Sequence, residues 1–181
     1  MKNIIMILLS AVVVITLTSC QPTGKAPRIE NGEQKLALQT DSAAYLDYIS
    51  SQPTVTQADA IKGILLLLGE KRQMTFAQAV KTLLDKQIVS SNWQFNPTKP
   101  ITKGQVAYMA YQLCHMTGGL TIILTGPSCR YCLKELQYRG IMSPGMPYNS
   151  VTGMEYVAIL GRVDEYLQTG TVSGAEQREG G

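Results

Sequence analysis

The sequence predicts a mainly helical protein assembled from repeated helix–loop–helix units, with one short β segment near residues 120–125. Three observations predict it. First, "VTQADAIKGILLLLG" from Val55, "ITKGQVAYMAYQLCH" from Ile101 and "VTGMEYVAILGRVDE" from Val151 align without gaps. Second, each carries a β-branched residue, then a threonine (Thr56, Thr102, Thr152), then Asp59, Gln105 or Glu155 three positions later. That spacing marks a capped helix start: the hydroxyl accepts a first-turn amide proton and the later side chain reaches back to the threonine amide. Third, apolar residues behind each start recur at helical spacing, as in Val106, Met109, Ala110 and Leu113, or Tyr156, Ile159, Leu160 and Val163. One unit cannot bury such a face alone, so copies must pack together.

Taken in chain order, the N-terminus comes first. "MKNIIMILLSAVVVITLTSC" has a cation at Lys2, an apolar run from Ile4 to Leu17, and small residues before Cys20. This pattern describes an export signal over residues 1–19, although an uncleaved form is long enough to cross a bilayer. The ending "LTSC" resembles the bacterial lipobox, which implies cleavage before Cys20 and acylation of that cysteine. Several acyl chains, at about 0.8 kcal/mol per buried methylene, give a stable palmitate-like anchor in the cell envelope. Gln21 in place of an aspartate implies, by resemblance to the sorting rule of well-studied Gram-negative bacteria, the outer rather than the inner membrane. Residues 20–40 carry Pro, Gly and charges without a period and read as a lipidated N-terminus and flexible tether. The helical repeat domain is placed at 41–169, and "GTVSGAEQREGG" over 170–181 reads as a disordered tail.

Within the domain, "AAYLDYISSQPTVT" allows a short helix and almost no loop before the first capped start. "TFAQAVKTLLDKQIV" has its own cap pair, Thr75 with Gln78, and closes on the apolar plug Ile88-Val89. "SCRYCLKELQYRGIM" has Cys129, Cys132, Leu133 and Leu136 at the matching offsets and closes on Ile141-Met142. Between these, "GGLTIILTGPS" (118–128) is rich in β-branched residues and bounded by glycines, which predicts the short β segment.

The tract "IVSSNWQFNPTKPITKGQVA" resembles the S-layer homology repeat of bacterial envelope proteins. In that family a Gly-Ile-Val-like plug leads through Phe-x-Pro-x-x-x-Ile-Thr-Arg-x-Glu into a second helix. Phe95, Pro97, Ile101 and Thr102 match in type and spacing, while Lys103 and Gln105 stand where the family has arginine and glutamate. The last copy, "GIMSPGMPYNSVTGMEYV", keeps Gly140-Ile141, Thr152 and Glu155 but has Gly153 at the arginine position; the first has Gln57. The resemblance covers about residues 53–167 and implies three repeats in a pseudo-threefold helical bundle. It also implies grooves for anionic cell-wall polysaccharide, with Thr102, Lys103, Gln105 and Trp93 as candidate polymer-binding residues. The function expected is therefore noncatalytic: attachment to, or organisation of, cell-wall polymer or surface-layer material. The alternative is a periplasmic or outer-membrane scaffold subunit that binds another protein.

Other chemistry is weakly supported. A formal charge of +3 over 181 residues is too small to argue for nucleic acid. His115 is the only histidine, and no Ser–His–Asp order, phosphate loop or paired-carboxylate constellation stands out, so neither an enzyme nor a cofactor is expected. Cys114, Cys129 and Cys132 read as small buried apolar residues, as a disulfide from Cys114 to one of the pair, or as redox thiols at a helix start. A zinc site is not expected, because adjacent Cys114 and His115 point about 100° apart on a helix. Trp93 beside Phe95 reads either as a stacking surface for sugar or protein, or as a plug capping the core.

Overall fold

The computed structural model describes residues 27–36 and 42–173. The expected export signal, Cys20, and residues 174–181 of the expected tail lie outside the described residues. The protein is mainly helical, as the periodicity predicts. In chain order, β1 (Arg28–Ile29) and β2 (Lys35–Leu36) precede α1 (Ser42–Ser50) and α2 (Gln57–Leu67). Then come β3 (Met74–Thr75), α3 (Phe76–Asp85), β4 (Gln94–Phe95) and α4 (Lys103–Leu113). The chain ends in α5 (Leu120–Thr125), α6 (Cys129–Tyr138) and α7 (Gly153–Thr169). Among the described residues, no helix is long and apolar enough to cross a membrane.

The predicted helix starts are present at residue level. Thr56, Thr75, Thr102 and Thr152 are the N-caps of α2, α3, α4 and α7, and each hydroxyl accepts the backbone N–H three residues on. Reciprocal capping boxes form at Thr75/Gln78 and Thr102/Gln105. At α2 the Thr56 hydroxyl instead donates to Asp59 Oδ2 at 2.6 Å. At α7 the Glu155 carboxylate leaves its own cap and goes elsewhere. The plugs Ile88-Val89 and Ile141-Met142 are buried, as are Val55, Ile101 and Val151 before the caps.

The copies interlock in a regular way. The second helix of each unit packs on the first helix of another: α2 on α3, α4 on α6, and α7 on α1. The segments leading into the capped helices exchange backbone bonds in the same order. Ile101 N donates to Val55 O and Val55 N to Val151 O, both at 2.9 Å. Gln57 N donates to Lys99 O, Lys103 N to Asn149 O, and Gly153 N to Gln52 O, at 2.8, 2.8 and 3.0 Å. Thr56 and Thr102 form single antiparallel bridges with Pro100 and Ser150. These bonds satisfy polar backbone in a region otherwise filled with apolar side chains, where an unpaired group is costly.

The buried apolar residues of the described chain join one cluster that runs from Leu36 to Val172, so the unit 27–173 carries its own core. At its centre Tyr156 is fully buried and its hydroxyl donates to Ala60 O at 2.6 Å. Tyr45 likewise donates to Asp59 O at 2.7 Å. Burial pushes both phenols well above the usual tyrosine range, so both remain protonated donors. Gly63 makes room for them: a Cβ there would lie 2.6 Å from Tyr156 Oη and 2.9 Å from Tyr45 Oη. Tyr156→Phe removes a buried donor while the helical carbonyl keeps its place in α2. The expected cost is about 1 kcal/mol, measured as a lower urea midpoint at unchanged slope.

Three expectations are corrected. The segment near 120–125 is the helix α5, not a β segment. Among the described residues no strand pairs with it, and its amides close locally: Ile122 and Ile123 N donate to Gly119 O, and Gly126 N to Ile122 O. The tether ends earlier than residue 40, because 27–36 belongs to the folded unit. β1 runs parallel to β4, β2 runs antiparallel to β3, and Leu36 is buried. Glu30 N donates to Phe95 O and Phe76 N to Gln34 O, both at 2.7 Å. The tail likewise begins later than residue 170: Val172 is buried and Ser173 N donates to Glu165 Oε1 at 2.8 Å.

Candidate functional site

The polymer-binding candidates centre on the start of α4, and the structure separates them. Thr102 and Gln105 are brought together, but by the capping box: Thr102 N donates to Gln105 Oε1 at 3.2 Å and Gln105 N to Thr102 Oγ1 at 3.3 Å. Their polar atoms are engaged in starting the helix. Thr102→Ala is expected to cost about 1 kcal/mol in thermal or urea unfolding, the usual effect of losing such a cap.

Lys103 does not present a free cation. Its residue is 8% exposed, and Nζ lies 2.6 Å from Glu155 Oε1. Nζ also donates to Pro144 O at 3.2 Å and to Ser143 Oγ at 3.3 Å, while Ser143 Oγ donates to the same Glu155 oxygen. The ammonium therefore ties the start of α4 to the loop before α7 and to the first turn of α7 itself.

The same position in the other copies is also internal. Gln57 is 6% exposed, and its Oε1 accepts from Asn96 N at 3.1 Å. At Gly153 a Cβ would lie 1.7 Å from Ile49 O, so no side chain fits at all. Each residue after a capping threonine thus faces the neighbouring unit. Sequence offsets show the equivalence of the three positions, but only packing shows that they point inward.

Trp93 belongs to a different face. Its ring stands edge-on to Tyr108 with centroids 5.3 Å apart, and tilted to Phe95 at 6.1 Å. Tyr108 and Lys103 are five residues apart on α4, hence about 140° apart around its axis. Trp93 is half-buried and packs against the core, which favours the plug over an open stacking platform. A shallow depression of about 290 Å³ lies next to it, lined by Gln87, Ser90, Ser91, Tyr108 and Gln112.

The cysteines are free thiols. α4 and α6 run parallel: a Cβ on Gly104 would touch Cys129 Cβ at 2.9 Å, and at the far end Arg139 Nη2 donates to Thr117 O at 3.1 Å. Cys114 is ten residues beyond Gly104, about 15 Å along α4. That displacement places it outside disulfide range of Cys129, and Cys132 recovers only one turn of it. The candidate disulfide is therefore not supported, and a shared metal site fails for the same reason. Among the described residues, no group of three His, Cys, Asp or Glu converges. Burial raises all three thiols, Cys114 to about 11 and Cys132 to about 12. They stay protonated near neutrality, the reverse of what thiol–disulfide exchange needs.

Sequence reasoning missed the surfaces that are open. Met146, Tyr148 and Met154 are exposed around the start of α7, and Tyr148 is 75% exposed. Leu120, Ile123 and Leu124 are exposed on α5. A signal for the first group existed: three large apolar residues in and beside a loop with no periodicity to bury them. No protein-family model matches this chain, and neither a curated protein nor a solved structure matches it significantly.

Proposed function

We propose that this chain is a noncatalytic, lipid-anchored cell-envelope module built on S-layer-homology-like repeats, acting as a scaffold that binds another protein. The observation that carries this reading is the fate of the motif position after each threonine. Gln57 and Lys103 are buried struts and Gly153 has no room for a side chain. A polymer groove built on cations at that position would have none to offer. The head-to-tail pairing of α2 with α3, α4 with α6 and α7 with α1 supports three units around a pseudo-threefold axis.

Protein binding fits the surface that remains. Met146, Tyr148 and Met154 are of the types enriched at protein interfaces, where a rigid amphipathic ring and adaptable thioethers give contact area at modest entropic cost. They sit on the loop and first turn that the Lys103–Glu155 strut holds in place. Anchorage at Cys20 and an outer-membrane location remain part of the proposal. They rest on "LTSC" followed by Gln21.

The test compares retention on envelope fragments that keep their proteins with retention on wall sacculi stripped of protein. The expected result is retention on the first only, lost roughly tenfold in Tyr148→Ala with Met154→Ser. Salt-sensitive retention on stripped sacculi would overturn the scaffold reading in favour of the polymer one.

A further inference from the structure

α5 is an unusual piece of surface. Leu120, Ile123 and Leu124 fall at i, i+3 and i+4, so they share one helical face, and they are 71%, 71% and 74% exposed. The orientation is fixed from below by Ile122, which is buried against Gly118 and Tyr111: a Cβ on Gly118 would lie 2.5 Å from Ile122 Cδ1 and 2.9 Å from Tyr111 Oη. The apolar face therefore points outward because the helix is seated, not because it is loose. Thr121, Thr125 and glycines surround it, without a charge between His115 and Arg130.

The stretch of chain that contains this face is one-signed. Between Asp85 and Glu135 the chain contains no acidic residue and five basic ones, Lys86, Lys99, Lys103, Arg130 and Lys134. Of these, Lys103 is neutralised by Glu155. Arg130 and Lys134 are exposed on α6, the helix that α5 packs against. An apolar face next to exposed cations, with no acid in the tract, is complementary to an anionic lipid surface.

We propose that α5 is a membrane-docking element: Leu120, Ile123 and Leu124 enter the interfacial layer of an anionic bilayer while Arg130 and Lys134 meet its headgroups. The aliphatic side chains leave water, and the cations gain from the surface potential. The element is too short to span a bilayer and rests in the interface. With Cys20 acylated, six residues lie between the anchor and Pro27, and those seven peptide steps reach at most about 25 Å, so the domain stays close enough for this contact. That last point rests on the anchor reading; the docking surface itself does not.

The experiment uses the chain from Gln21 onward, which retains the whole described core and lacks both Cys20 and the apolar leader. Co-sedimentation is measured with vesicles of phosphatidylcholine, with and without phosphatidylglycerol. Binding is expected to the anionic vesicles, to weaken with salt, and to fall roughly tenfold in Ile123→Ser with Leu124→Ser. Arg130→Gln with Lys134→Gln should lose the preference for anionic lipid. In a Trp93→Phe background, Leu124→Trp should be quenched by lipids brominated in their acyl chains. Since the α5 and α6 positions are exposed, the melting profiles of their variants should overlay that of the parent, and that of Leu124→Trp should overlay its Trp93→Phe background. Absence of binding by the folded parent, equal binding by the α5 variant, or an unquenched tryptophan would overturn the proposal. So would a change in the oligomeric state of the α5 variant without a change in vesicle binding, which would assign the face to a second copy. Incorporation of labelled palmitate into the full chain, lost in Cys20→Ala, tests the anchor separately.

Discussion

Gly153→Ala is expected to destabilise the domain by about 3 kcal/mol or more, a fall of roughly 10 °C in melting temperature. The added Cβ would stand 1.7 Å from the carbonyl oxygen of Ile49 and 2.9 Å from that of Gln52. Both are backbone atoms at the end of α1, so no rotamer change relieves the clash. α1 would have to withdraw from α7, breaking the bond from Gly153 N to Gln52 O and loosening the site where Tyr45 and Tyr156 are packed. The same helix supplies the control. At Gly161 nothing lies within 4 Å of a Cβ, so Gly161→Ala should be neutral or stabilise by up to about 1 kcal/mol through helix propensity. Urea unfolding of both variants separates crowding from propensity. Equal stability of Gly153→Ala and the parent would mean that α1 does not seat on α7 in this way.

Glu155→Gln is the second large effect. Lys103 and Glu155 have side chains only 10% and 18% exposed, and the lysine has no other carboxylate within ion-pair distance among the described residues. Neutralising the glutamate leaves an ammonium held out of water with a carbonyl and a hydroxyl for company. The expected cost is about 3 kcal/mol, at the lower end for broken buried pairs because the site is not fully closed. Removing both charges with Lys103→Met and Glu155→Gln should restore most of the stability, since an apolar replacement no longer needs a partner. The result to look for is a strongly non-additive double-mutant cycle in urea. Additive losses, or single variants as stable as the parent, would show that the strut is not coupled.

What could be read in the sequence was local. The caps at Thr56, Thr75, Thr102 and Thr152 were legible because a capping threonine and its partner are three residues apart, and the bond follows from chain geometry alone. The faces behind them were legible because burial on a helix repeats every 3.6 residues, and Val106, Met109, Ala110 and Leu113 are all buried. What failed depended on distant partners. Lys103 looked like a free cation because Glu155, already explained as part of a cap, lies 52 positions away in the chain. "LTIILT" reads as a strand by composition, yet with no strand beside it the local helix is the way to pair its amides. Arg28–Leu36 has no period long enough to register, and its order comes from edges offered by residues 74–75 and 94–95. The candidate site was legible as a set of equivalent positions, and misread in direction, because a repeat alignment carries no information about which side faces the neighbour.

The seating of α1 on α7 has a consequence for how the chain reaches its native state. A chain made from its N-terminus completes α1 early, but the surface that α1 needs lies more than a hundred residues later, at Gly153 and beyond. Until then Tyr45 has only its α2 partners, and Ile49, whose carbonyl seats against Gly153, lacks the cover it has in the finished protein. Pairs such as α2 with α3 form within a short span, whereas this closure joins the first and last described helices and carries a far larger loop entropy. The joining of the two ends of the domain is therefore the expected late step of folding. A chain that stalls before α7 emerges keeps an adhesive first helix, with another such chain as its ready partner.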